Sequence, residues 1–244
     1  MNSYLRSFLM IALLTQGITA RAAQDSTQDS ARGILVAVHQ ATLSSELAAK
    51  VIALPKQMGE SFKKGAILVQ LDCRLFNAQL KKVEAQEKVA RAKLENAQQL
   101  NRLNSIGTLD LTIAEADLQK VQAERTITQL NVSRCNIKAP FNGRVEQMDI
   151  HPFEVVQQRQ ALMKIVGRER LEADIIVPAQ WMEWLTINKT IILQVEETNQ
   201  SLTAVIRHIG PSVDPTSQTV QIRATIKNVP DKVLPGMSVV AKFR

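Results

Sequence analysis

Two stretches, KVIALPKQMGESFKKGAILVQL (Lys50–Leu71) and RVEQMDIHPFEVVQQRQALMKI (Arg144–Ile165), align without a gap at a constant offset of 94. Val51 meets Val145, Glu60 meets Glu154 and Leu68 meets Leu162. Leu54, Phe62, Val69 and Leu71 meet Met148, Val156, Met163 and Ile165. Three identities alone are weak, but an apolar pattern kept over 22 positions reads as an internal repeat. Alternation within ILVQL and LMKIV favours strands. The two stretches therefore read as similar halves of one β module.

The chain between them has a different character. From Arg74 to about Ser105 there is no Gly or Pro, and Ala, Leu, Lys, Glu and Gln dominate, all of them helix formers. Phe76, Leu80, Val83, Glu87, Ala90, Leu94 and Ala97 step by alternating four and three, a heptad seam with one polar member. Ile106-Gly107-Thr108 interrupts the run, with Gly107 as the expected terminator. Asp110 is the expected cap of a second helix, whose seam reads Leu111, Ala114, Leu118, Val121, Arg125, Thr128, Val132. So short a break permits only an antiparallel return. The sequence thus predicts a projecting two-stranded coiled coil, roughly 45 Å long at about 1.5 Å per residue.

An element inserted into a module must leave and return at neighbouring points. Leu71-Asp72-Cys73 is the exit and Cys135-Asn136-Ile137 the return. Helix axes packed roughly 8–10 Å apart let cysteines at both feet reach the roughly 4.4–6.8 Å Cα spacing of a disulfide. These are the only two cysteines of the chain. A Cys73–Cys135 bridge is expected in an oxidising compartment; two buried free thiols are the alternative.

Export is itself readable. Arg6, the apolar run Phe8–Leu14 and Ala20-Arg21-Ala22 match a secretory signal peptide cut after Ala22. The run is too short for an ordinary membrane span. The formal charge of +7 falls to about +5 once Arg6 and Arg21 leave. The basic residues interleave with acids along the helical stretch, as on a solvated face, so nucleic acid is not an expected partner. Aromatics make up only 4% of the chain, which favours slim modules. Leu171–Val177, Ile191–Val195, Leu202–Ile209, Thr219–Ile226 and Val239–Phe243 read as short strands, and Pro178–Leu185 as a short helix, together suiting a small barrel. Trp181 and Trp184 on that helix fit packing at the barrel mouth, with a partner-facing patch as the alternative.

With these residues in place, the chain resembles the periplasmic adaptor, or membrane fusion, proteins of tripartite exporters. GESFKKGAILVQLD (Gly59–Asp72) is similar to the end of that family's first lipoyl-like half, and IKAPFNGRV (Ile137–Val145) to the opening of its second, where Asn142 stands for the usual Asp. IGPSVDPTSQTVQIRATIKN (Ile209–Asn228) and LPGMSVVAKF (Leu234–Phe243) resemble its β-barrel signatures. The resemblance implies a mixed α+β fold. A lipoyl-like barrel-sandwich hybrid in two halves (33–72 and 136–167) takes an inserted antiparallel coiled-coil hairpin (73–135) and is followed by a small β-barrel (168–244).

The resemblance also implies a function. The protein would sit in the periplasm and link an inner-membrane transporter, of the resistance–nodulation–division type in preference to the ATP-binding cassette type, to an outer-membrane channel. It would self-associate into a ring and need no cofactor. Arg102-Leu103 matches the family's hairpin-tip pair, and Arg102, Leu103, Leu109 and Asp110 are the implied docking residues. Two departures stand out. The family's second-half turns use Gly, whereas this chain has Phe153-Glu154 and Gln158-Arg159, so looser turns are expected. No counterpart of the membrane-proximal domain of larger adaptors is expected after the barrel signature. The different-class alternative is a stand-alone periplasmic module that grips a partner with its coiled coil.

Enzymatic chemistry finds little support. His39, His151 and His208 are scattered, and neither a metal-ligand spacing nor a nucleophile motif appears. Met163-Lys164-Ile165 is a faint match to a biotin acceptor, but Lys164 falls inside the predicted closing strand and not at a tip between halves.

Overall fold

The computed structural model describes residues 30–243; the expected signal peptide, residues 1–22, lies outside them. In chain order the strands before the helices are β1 (Ser30–Ala37), β2 (Gln40–Ser44), β3 (Ala49–Ala53), β4 (Ser61–Phe62) and β5 (Ile67–Leu71). Helices α1 (Arg74–Arg102) and α2 (Thr108–Ser133) follow. Then come β6 (Asn136–Lys138), β7 (Gly143–Met148), β8 (Val155–Val156), β9 (Ala161–Gly167), β10 (Leu171–Pro178), a 3-10 turn (Ala179–Glu183), β11 (Thr190–Val195), β12 (Ser201–Ile209), β13 (Thr219–Ile226) and β14 (Ser238–Lys242).

Two four-stranded sheets, ordered β2-β9-β7-β4 and β6-β5-β3-β8, enclose one core. The 94-residue offset maps β3 onto β7, β4 onto β8 and β5 onto β9, and places β6 on Thr42–Ser44 of β2. β3 stays with β5 in one sheet and β7 with β9 in the other, and each half lends its remaining two strands to the other half's sheet. The hydrogen bonds repeat accordingly. Gly59 N–H donates to Val145 O at 2.9 Å, and Phe153 N–H to Val51 O at 2.9 Å. The shared glutamate has a structural role in both turns: Glu60 Oε2 accepts Gln57 N–H at 3.1 Å, and Glu154 Oε2 accepts His151 N–H at 3.0 Å. Val51, Phe62, Leu68, Val69, Leu71 and their five equivalents are all buried; full burial of such a side chain contributes ~1.5–3 kcal/mol.

The second-half turns are not looser. Phe153 (φ 71°) and Arg159 (φ 68°) adopt the left-handed backbone of Gly59 (φ 84°) and Gly65 (φ 85°) and keep the same bonding. The cross-half ladder holds the turn shape, and the non-glycine residues carry the conformational cost. Asn142 also has a reason to differ from Asp. Its Oδ1 accepts Lys64 N–H at 2.7 Å while its amide donates to Glu169 at 2.8 Å; a carboxylate would lack that donor.

The second body is a closed six-stranded barrel, β1-β10-β13-β12-β11-β14. Alternate residues such as Leu35, Leu171, Ile175, Leu193, Ile206 and Ile222 fill it. Its sixth strand, β1, corrects the sequence reading, which placed residues 33–37 in the sandwich. β1 pairs with β10 and β14, partners more than 130 residues away in sequence and invisible to local patterning. Trp181 and Trp184 pack edge-to-face with Phe243 at the barrel mouth, with ring centroids 5.0 and 5.9 Å from it.

Candidate functional site: foot, seam and tip of the helical pair

The two helices pack along their length between the halves of the sandwich. At the foot, Cys73 and Cys135 form a disulfide with Cα atoms 5.8 Å apart. Leu71 N–H donates to Cys135 O at 2.8 Å, so the exit and return strands touch directly. Asp72 serves as the start signal of α1. Its carboxylate accepts Arg74 N–H at 3.1 Å and pairs with the Arg74 guanidinium at 2.7 Å. These hydrogen bonds from Arg74 lower the Asp72 pKa to about 2. Arg134 ties the end of α2 to Glu46 of the sandwich at 2.7 Å.

Along the seam, Phe76, Leu80, Val83, Glu87, Ala90, Leu94 and Ala97 are the residues of α1 turned from solvent, together with Glu84, Leu100 and Asn101. The α2 seam residues are half-buried except Arg125, which stays exposed. The polar pair is used: buried Glu87 accepts from Arg91 at 2.7 Å and lies 3.4 Å from the Arg125 guanidinium across the seam. Glu87 thereby answers the desolvation cost of a buried charge.

The tip differs from expectation in two respects. Asn104 (φ 55°), not Gly107, ends α1. Asn104 N–H donates to Asn101 O at 3.0 Å and Ser105 N–H to Leu100 O at 2.9 Å, the paired bonds of a Schellman ending with Asn in the left-handed position. The second helix then begins at Thr108 with Gly107 at its N-cap and no side-chain cap. Asp110 is not the cap but an acid of the first turn, where its charge favours the exposed N–H groups. The four expected docking residues share this tip. Leu103 and Leu109 are 72% and 70% exposed, Arg102 and Asp110 are exposed, and no ion pair of either is present among the described residues.

Among the described residues no group of three potential metal ligands converges. His39 stacks on Phe141 at 5.4 Å between ring centroids, His151 lies 3.8 Å from Glu154 at an exposed turn, and His208 is on β12. Lys164 is a mid-strand residue paired with Thr42 and Gln147. No described helix is long and apolar enough to cross a membrane.

Comparison with known proteins agrees with this geometry. Residues 172–244 match the family model described as the CusB-like, beta-barrel domain. The nodulation protein NolF of Rhizobium meliloti is 24% identical over 229 residues, covering 87% of this chain and 62% of NolF. The toluene efflux pump periplasmic linker protein TtgG of Pseudomonas putida is 25% identical over 204 residues, covering 76% of this chain and 52% of TtgG. The chain thus spans little more than half the length of these relatives. A MacA–MexA chimera carrying the Pseudomonas aeruginosa MexA alpha-hairpin domain superposes with a TM-score of 0.76 at 14% identity, covering 87% of this chain and 78% of the chimera. The resemblance to membrane fusion proteins is borne out.

Proposed function

We propose that this chain is a periplasmic adaptor that joins an inner-membrane transporter to an outer-membrane channel in a tripartite efflux or secretion system. The transporter is of the resistance–nodulation–division type in preference to the ATP-binding cassette type. In this reading the two sheets form the lipoyl-like module, the helices form a coiled-coil hairpin, and a cleaved signal peptide delivers the chain to the periplasm. Copies assemble into a ring around a conduit.

One observation carries the proposal: a long helical pair rises from a disulfide-bridged foot in the sandwich and ends in an exposed tip. Such an element spans distance and presents a docking end, and nothing in it performs bond chemistry. The names of relatives such as the TtgG periplasmic linker support the same reading. Arg102, Leu103, Leu109 and Asp110 are the tip residues that meet the channel. Arg102→Asp adds a second acid to the tip that carries Asp110, without touching the seam. Expected is loss of drug resistance in cells that depend on this chain, at unchanged protein level. Unaltered resistance removes tip docking from the proposal.

A further inference from the structure

We propose that Cys73 is the residue at which a protein disulfide donor attaches to this chain, and that Cys135 is the resolving thiol that completes the bridge and releases the donor. The inference rests on the proposed export and is independent of the adaptor role. The chain has two cysteines, and both are in the bridge. The two electrons lost when the bridge forms must therefore pass to an oxidant from outside. In an oxidising compartment, a disulfide on a second protein is the class of oxidant that can take them.

The two sulfurs are not equally placed. Cys135 is 1% exposed, within the sandwich core. Cys73 is partly exposed and borders an open cavity of about 420 Å³ at the foot of α1. Both sulfurs lie against carbonyl oxygens of α2, Cys73 Sγ at 3.6 Å from Val132 O and Cys135 Sγ at 3.7 Å from Asn131 O; only Cys73 has the cavity beside it. Ile52 and Phe153 also line the cavity and are 45% and 69% exposed, which gives an incoming chain an apolar rest. The charged residues lining it are Lys50, Asp72 and Arg74. Asp72 and Arg74 pair with each other at 2.7 Å, so Lys50 leaves the cavity with a positive excess. That excess stabilises the anionic sulfurs through which disulfide exchange passes.

The chemistry runs in two exchanges. The Cys73 thiolate attacks one sulfur of the donor's disulfide. A bond between Cys73 and the donor forms, the donor's own S–S bond breaks, and the donor's second sulfur leaves as a thiolate. Cys135 then gives its proton to that thiolate and attacks Cys73 Sγ. The native bridge forms, the mixed bond breaks, and the donor departs as a dithiol. Two thiols of this chain have been oxidised and one donor disulfide reduced. With Cα atoms 5.8 Å apart the second exchange is intramolecular and favoured by proximity, so Cys135 never needs to meet the donor's first disulfide. In reverse, an external thiol reaches only Cys73 and must expel a Cys135 thiolate into the core. A charge buried there is a poor leaving group, and the folded bridge resists reduction.

The test uses the purified chain with oxidised glutathione as the donor. Cys135→Ser leaves Cys73 as the single thiol, and Cys73→Ser leaves Cys135; mass spectrometry follows glutathione addition to each. Cys73 should react at least about tenfold faster than Cys135 in buffer, and within about twofold of it in urea, where both are open. Equal rates in buffer, or a faster Cys135, overturn the proposal. Where circular dichroism shows that either variant has not folded, the native bridged chain gives the same reading. After reduced glutathione, acid quenching and alkylation, glutathione should sit on Cys73 and the alkyl group on Cys135; the opposite placement, or equal amounts of the two, overturns the proposal. A chain recovered from cells with both thiols free, while the purified chain keeps its preference for Cys73, removes the export reading and keeps the point of attack. A chain recovered bridged, with no preference in the purified form, does the reverse.

Discussion

Glu87 should reward removal and Arg125 should not. Glu87 is 9% exposed at the centre of the seam, with Arg91 at 2.7 Å and Arg125 at 3.4 Å, and the two arginines are 55% and 45% exposed. Unit charges 3.4 Å apart attract by about 5 kcal/mol at an effective dielectric of ~20. Solvent around the half-exposed guanidinium removes much of this, and Arg91 remains to serve the carboxylate. Arg125→Ala should therefore cost about 1–2 kcal/mol, below the ~3–5 kcal/mol typical of a fully buried broken pair. Glu87→Leu replaces the buried charge with an apolar seam residue and should be neutral or stabilising by up to about 1 kcal/mol. Urea titration followed by far-ultraviolet circular dichroism reads both, because most of the helix signal comes from this pair. With a slope of ~1 kcal/mol/M, Arg125→Ala should lower the midpoint by about 1–2 M. A silent Arg125→Ala, or a Glu87→Leu as damaging as Arg125→Ala, refutes the reasoning.

Three further outcomes are expected. Reducing the bridge, or replacing both Cys73 and Cys135 by Ser, should cost roughly 4 kcal/mol from the 62-residue separation it closes; thermal melts that do not respond to reductant contradict this. The Asp72 carboxyl has a folded pKa of about 2 against an ordinary 3.8, so its contribution is full above pH 3.8 and is lost as pH falls through 2. Asp72→Asn should flatten that part of the acid-unfolding curve, and an unchanged curve assigns the acid sensitivity elsewhere. Phe153→Gly should leave stability within about 0.5 kcal/mol of the parent, because relief of the left-handed backbone offsets the added freedom of the unfolded chain, while Gly59→Phe should cost ~1–3 kcal/mol; equal effects measured by urea unfolding contradict this.

The sandwich and the helical pair were legible because their signals are local or repeated. Apolar spacing gave the seams residue by residue, and the 94-residue offset pointed to strands whose partners it could not name. The exchange of β4 and β8 between sheets was not legible, since two-residue strands carry no alternation of their own. The barrel strands after Leu171 were readable, but β1 was not assigned to them, because its pairing with β14 is a fact of closure and not of local sequence. The turn at Asn104 was missed because Gly107 looked like the stronger breaker, although Asn is the commonest non-glycine residue for that backbone. Of the tip residues, position and exposure could be anticipated; Asp110's place within the helix could not.

The pairing of β1 with β14 makes the architecture concentric. The helical pair is innermost in the chain, the sandwich halves flank it, and the first and last described strands meet outside both. Contacts between distant residues form slowly, so the helices can form from neighbours, the sandwich only after the return at Asn136, and the barrel only after β14 has been made. In a chain built this way the barrel stays open longest. Its longest-lived vulnerable species should carry finished helices and an unsealed apolar β1, and proteases should cut there first.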